Sequence, residues 1–223
     1  MQLSPQQQVA LLLYADDLAP LASNAAGLQA QLRVLEVFCQ QRGLTLNLVK
    51  TKVMLLAGEL GSKAAVASAK RGRLSFAGKQ LPVVSEFCYL GVVFSSSQTL
   101  AASAASACCA PARLAMLDMR KHCDLLGLEA TRVQLLLFNS LVDSKLLYGS
   151  EVWAPHLAQL AAKRAVISGG TGTQSSLSAP EELHVGFLRL LLGVRKGTPT
   201  AAVLAEAGVP PLYVSWLVRM ARF

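Results

Sequence analysis

Apolar positions along this chain change their spacing several times, and each change marks an element. Residues 8–22, QVALLLYADDLAPLA, are two short apolar runs around a polar centre. Val9 to Tyr14 is strand-like and Leu18 to Ala22 can return beside it, which predicts a hairpin tipped by Asp16 and Asp17. In residues 27–43, Leu28, Leu32, Leu35 and Cys39 recur at helical spacing up to Gly43, which predicts an amphipathic helix. The period then drops to two in Leu44–Leu48, LTLNL, predicting a strand that continues towards KTKVMLLAG. Residues 59–73 read as a surface excursion. Residues 74–96 are again strand-like, with a tight turn at Ala77-Gly78-Lys79 and a further strand, YLGVVF, interrupted by Gly91.

Beyond Ser97 only helical spacing remains. Residues 98–123 are Ala-rich and helical despite Pro111, and residues 129–148 carry Leu135, Phe138, Leu141 and Val142 on one predicted face. A helix is also expected over residues 155–166. The Gly/Ser/Thr-rich stretch 168–180 reads as a linker. Residues 181–193 and 211–223 follow as two more helices. Strands first and helices afterwards make the fold class α+β. No internal repeat is visible.

Composition narrows the function classes. Hydrophobic residues are 53% and charged residues 15%, enough apolar material for a core and too much for a disordered chain. No run of 18 apolar residues occurs, so no membrane span is expected, and the N-terminus does not read as a secretory leader. Net charge is +8. Residues 1–96 hold nine Lys/Arg against five acids and residues 97–223 twelve against eight, so each part carries +4. The excess is spread rather than gathered in a tail, and it suits a polyanion such as nucleic acid. A merely basic protein is the plain alternative. The five cysteines, Cys39, Cys88, Cys108, Cys109 and Cys123, are odd in number and contain no C-x-x-C pair. They are expected to be reduced thiols inside a cell, serving mainly as small buried hydrophobes rather than as a zinc site.

The adjacent carboxylates of Asp16 and Asp17 need a reason. Alone, Asp-Asp is most often a solvated turn. Two carboxylates at a hairpin tip also suit Mg²⁺, which takes one or two carboxylates, waters and substrate phosphates. Here the surrounding segments add to the pair. LLLYADDLA resembles the Tyr-x-Asp-Asp hairpin of reverse transcriptases. GLTLNLVKTKVM, residues 43–54, is similar to the segment that follows that hairpin, and YLGVVF, residues 89–94, to the primer-grip hairpin. LLYGSEVWAP, residues 146–155, and residues 187–212 resemble the helical region after the palm in non-long-terminal-repeat retrotransposon polymerases. The likeness covers nearly the whole chain.

That resemblance implies a partial polymerase palm (antiparallel strands with a packed helix) over residues 1–96. It also implies a thumb-like helical region over residues 97–167, a linker over 168–180 and a C-terminal helical region over 181–223. It implies that Asp16 and Asp17 are catalytic metal ligands for Mg²⁺, with Mn²⁺ as a substitute. Tyr14 and Ala15 would shape the hairpin beside the primer end. Lys50, which the spacing favours over Lys52, would be catalytic, approaching the triphosphate or protonating the departing pyrophosphate, with a solvated lysine as the plain alternative. Asn47 would orient that segment, and Tyr89, Leu90 and Gly91 would form the primer grip. The implied partners are an RNA template, a DNA primer and deoxynucleoside triphosphates. Arg113, Arg120, Lys121 and Arg132 would meet a duplex backbone, or simply line a solvated helix face. Trp153 and Trp216 are expected in the core. The family also requires a metal-binding aspartate on an earlier strand, and none of the thirteen residues before Tyr14 is acidic. Asp118, Asp124 and Asp143 fall in the helical part and are poor substitutes. The fragment alone is therefore expected not to extend a primer, and an upstream polymerase portion becomes an implied partner. A basic nucleic-acid-binding module without catalysis is the alternative.

Overall fold

Short paired strands precede a long run of helices, so the chain is mixed α+β. A computed structural model describes residues 11–56, 74–167 and 177–223, the side chains of residues 164–167 excepted. The chain divides into two units, Met1–Phe87 and Cys88–Phe223.

In the first unit, β1 (Leu11–Tyr14) and β2 (Asp17–Pro20) form an antiparallel hairpin with Tyr14 opposite Asp17. The helix α1 (Ala25–Arg42) starts where the Asn24 side chain accepts from the Gly27 N–H. It ends at Gly43, whose φ of 64° is the left-handed geometry a helix terminus requires. Leu32 and Cys39 of α1 are buried, with Leu28 and Leu35 packed beside them, so the face read from the sequence is the one that packs. It covers Val53, Leu74, Phe76 and Leu81. Val53 belongs to β3 (Val53–Met54) and Phe76 to β4 (Ser75–Phe76), while Leu74 directly precedes β4 and Leu81 directly follows β5 (Lys79–Gln80). β4 and β5 make a hairpin through Ala77-Gly78, as expected. β3 pairs in parallel with β6 (Val83–Val84). Gln29 completes the edge of β4: its amide donates to the Ser75 carbonyl and accepts from the Ser75 N–H, both at 2.9 Å.

The expected strand over Leu44–Leu48 does not form. Residues 44–47 are irregular and 48–50 turn. The stretch is bounded on both sides: the Leu44 N–H donates to the Cys39 carbonyl at the helix end (2.9 Å), and just past Leu48 the Asn47 Oδ1 accepts from the N–H groups of Val49 (3.1 Å) and Lys50 (3.2 Å), which bends the backbone into a turn. The alternation still places Leu46 and Leu48 against the core. Residues 1–10 and the expected excursion over 59–73 lie outside the described residues, as does most of the expected linker, residues 168–176.

The second unit takes in most of a hairpin, β7 (Glu86–Tyr89) and β8 (Val92–Ser95). Gly91 therefore does not interrupt one strand but sits in the turn between two. Behind β8 runs α2 (Leu100–Leu125), which passes through Pro111 as expected. The buried Ser103 hydroxyl donates to the Val93 carbonyl at 2.9 Å and fastens helix to strand. An 18-residue window of α2 reaches a mean hydropathy of 1.4, enough by length and composition for a membrane span. Uninterrupted apolar runs miss this, because small polar residues within the window dilute it little. The helix nonetheless buries Ala105, Cys109, Ala112, Met119 and Cys123 in the core of its own unit and exposes Arg113, Arg120 and Lys121.

The predicted helix over residues 129–148 is broken into α3 (Thr131–Phe138), a π-helical turn (Asn139–Asp143) and α4 (Ser144–Leu146). The extra residue in the π turn keeps Phe138, Val142 and Leu146 fully buried but swings Leu141 outward to 46% exposure. Further helices are α5 (Ser150–Trp153), α6 (Pro155–Ile167), α7 (Ala179–Leu191), α8 (Thr200–Ala207) and α9 (Leu212–Arg222). The sequence reading found no counterpart to α8. Phe138 stacks on Phe187 of α7 at 3.8 Å, and Trp153 meets Trp216 of α9 edge-on at 5.6 Å. Both tryptophans are core residues.

Candidate functional site

The sequence-derived residues fall at three places. Tyr14, Ala15, Asp16 and Asp17 form the tip of the β1–β2 hairpin, closed by a two-residue turn. Ala15 takes φ 51° there, a left-handed conformation that a residue with a Cβ enters at a cost of about 1 kcal/mol. Among the described residues, the other two non-glycine positions with positive φ, Ala77 and Leu90, are each followed by a left-handed glycine, the pairing a primed hairpin turn uses. Ala15 is followed by Asp16 and has no such partner. Both aspartates are exposed, and Leu13 and Tyr14 beside them are 65% and 63% exposed. The carboxylates are thus solvated at a tip rather than sunk in an apolar frame. Gln31 of α1 anchors the strand exit by donating to the Leu21 carbonyl at 2.9 Å.

Lys50 lies on its own turn, which Asn47 builds: besides the two bonds to its side chain, the Asn47 carbonyl accepts from the Thr51 N–H and hydroxyl. Lys50 and Lys52 are both exposed. Tyr89, Leu90 and Gly91 belong to the β7–β8 turn, where Leu90 and Gly91 have φ 48° and 78°. Arg113, Arg120, Lys121 and Arg132 are exposed.

Could Asp16 and Asp17 hold the implied ions? Among the described residues, no three His, Cys, Asp or Glu side chains gather as a cation-binding group. Two consecutive exposed carboxylates without a third do not fit a two-ion clamp, which needs ligands that bridge both ions from fixed positions. Among the acids considered as substitutes, Asp143 is committed elsewhere. Its Oδ1 lies 3.0 Å from Nδ1 of His184, with both residues buried and the Phe138 ring packed edge-on against the imidazole. His184 Nε2 is buried without a partner among the described residues.

Two features had no usable signal in the sequence. The Asp143–His184 pair is 41 positions apart. Tyr148 is 58 positions from Leu90, yet its hydroxyl donates to the Leu90 carbonyl at 2.9 Å.

No family model matches the chain, and neither a curated protein nor a solved structure does.

Proposed function

We propose that this chain is a piece of an RNA-directed DNA polymerase, the remainder of a palm followed by thumb-like helices, that does not extend a primer by itself. The observation that carries the reading is the hairpin tip. Asp16 in the two-residue turn and Asp17 at the start of β2 stand exposed, and the turn keeps an alanine left-handed without a glycine beside it. A strained non-glycine turn is what a functional tip tolerates and a purely structural one sheds. The sequence order of hairpin, helix, Asn47–Lys50 turn and Leu90–Gly91 turn adds to it.

The chain's own residues would then act by binding and positioning. The β7–β8 turn offers backbone to the end of a primer, and Arg113, Arg120 and Lys121 face the phosphates of the duplex. The test is primer extension on an RNA template with Mg²⁺ or Mn²⁺, beside an Asp16→Ala control. No product is expected from either protein; robust synthesis that disappears in Asp16→Ala would overturn the incomplete-site reading.

A second reading, a basic module that binds duplex without catalytic descent, is favoured by the net charge of +8. Both readings expect affinity to fall with salt, by about 0.9 in log–log slope per phosphate neutralised. They part on ends. A polymerase remnant prefers an RNA–DNA hybrid with a recessed 3′ end over a blunt one, whereas a basic module is indifferent. A chain that retains neither at low salt is excluded from both.

A further inference from the structure

We infer that Tyr148 is the positioning residue of the Leu90–Gly91 turn, setting where that backbone is presented to the end of a duplex. This rests on the function proposed above. Three observations within the second unit carry it. The Tyr148 hydroxyl bonds the Leu90 carbonyl at 2.9 Å, although Tyr148 is itself 55% exposed. The ring lies so close that a Cβ on Gly91 would sit 2.7 Å from its Cε1. Gly91 is thus required twice, by its φ of 78° and by the tyrosine.

The tyrosine is in turn held from behind. Trp153 Nε1 donates to the Tyr148 carbonyl at 2.9 Å, and Trp153 packs on the fully buried Trp216. A would-be Cβ on Gly149 meets Val92 at 3.0 Å, so the chain segment carrying Tyr148 lies flush with the strand that leaves the turn. The hairpin tip is therefore fixed to the helical core by a bracket running from Trp216 through Trp153 to Tyr148. A hairpin that needed only stability has that already from Ser103, bonded to Val93. The second attachment acts on the tip alone.

Tyr148→Phe removes the hydroxyl and keeps the ring. Its Tm should fall by no more than about 2–4 °C, the shift that one lost neutral hydrogen bond gives in a chain of this size, and its blunt-hybrid affinity should match the parent protein. Amide exchange of Gly91 and Val92 should quicken by about two- to ten-fold, the range set by losing one neutral hydrogen bond. The preference for a recessed 3′ end over a blunt end should fall by a similar factor. Ser103→Ala, which removes the side-chain bond to β8 away from the tip, should leave that preference unchanged. Unaltered exchange in Tyr148→Phe would overturn the proposal, as would an equal loss of preference in Ser103→Ala. If the parent protein shows no end preference while exchange still responds to Tyr148→Phe, the polymerase reading fails and with it the presentation role, and only the mechanical bracket stands.

Discussion

Cys108 and Cys109 are neighbours on one turn of α2, and their sulfurs lie 3.2 and 3.1 Å from the same Ala105 carbonyl. Two thiols so close do not ionise alike. The neighbouring Cys108 thiol holds the Cys109 thiol below its ordinary range, with the Arg113 charge helping, while closeness to Cys109 and burial push Cys108 far up. Thiolate absorbance should therefore show one early ionisation from the pair, lost in Cys109→Ala. The linkage signs are opposite. Cys109 adds stability that is full above the ordinary thiol value of 9.0 and is lost as pH falls through its lowered value. Cys108 adds stability that is full below 9.0 and is lost above it, because the unfolded chain ionises there and the folded one does not. Stability from the pair should peak near that value, measurable by urea midpoints across alkaline pH. The second residue-scale expectation concerns Asp143. Asp143→Ala leaves the buried Nδ1 of His184 unpartnered and should cost about 1–3 kcal/mol in chemical denaturation, with Asp143→Asn costing less.

At the scale of elements, the N-terminus of α1 depends on one side chain. Asn24→Ala should cost about 1 kcal/mol and speed amide exchange in the first turn, because the Gly27 N–H loses its acceptor. The elements themselves were readable to different depths. The packed face of α1 was legible because Leu28, Leu32, Leu35 and Cys39 keep strict helical spacing under one burial demand. Leu44–Leu48 was not, because strand-like alternation reports which side chains face the core and says nothing about whether backbone partners exist; directly after it Asn47 takes the N–H groups of Val49 and Lys50 for a turn. The π turn escaped because one added residue shifts a face without leaving a mark in the pattern, as Leu141 shows. Of the candidate site, the tip at Asp16 and Asp17 was legible as a polar break between two apolar runs. Tyr148 and the Asp143–His184 pair were not, since their partners are set by packing between segments far apart in the chain.

For the whole molecule, the two units carry very unequal cores. Among the described residues, six are buried in the cluster around α1 and twenty in the cluster of the helical unit. Small cores give small margins, so the first unit should open first. Calorimetry should show two transitions, the lower one lost on truncation to residues 88–223 and the upper one retained. The β1–β2 hairpin belongs to the weaker unit, and its Ala15 stands one nucleotide change from glycine, which would relax the turn by about 1 kcal/mol. Laboratory evolution for yield alone should drift to glycine at that position. A selection scored on anything the tip touches should resist the same drift, so the fate of this one alanine in a mutant library reports whether the aspartates beside it still have an employer.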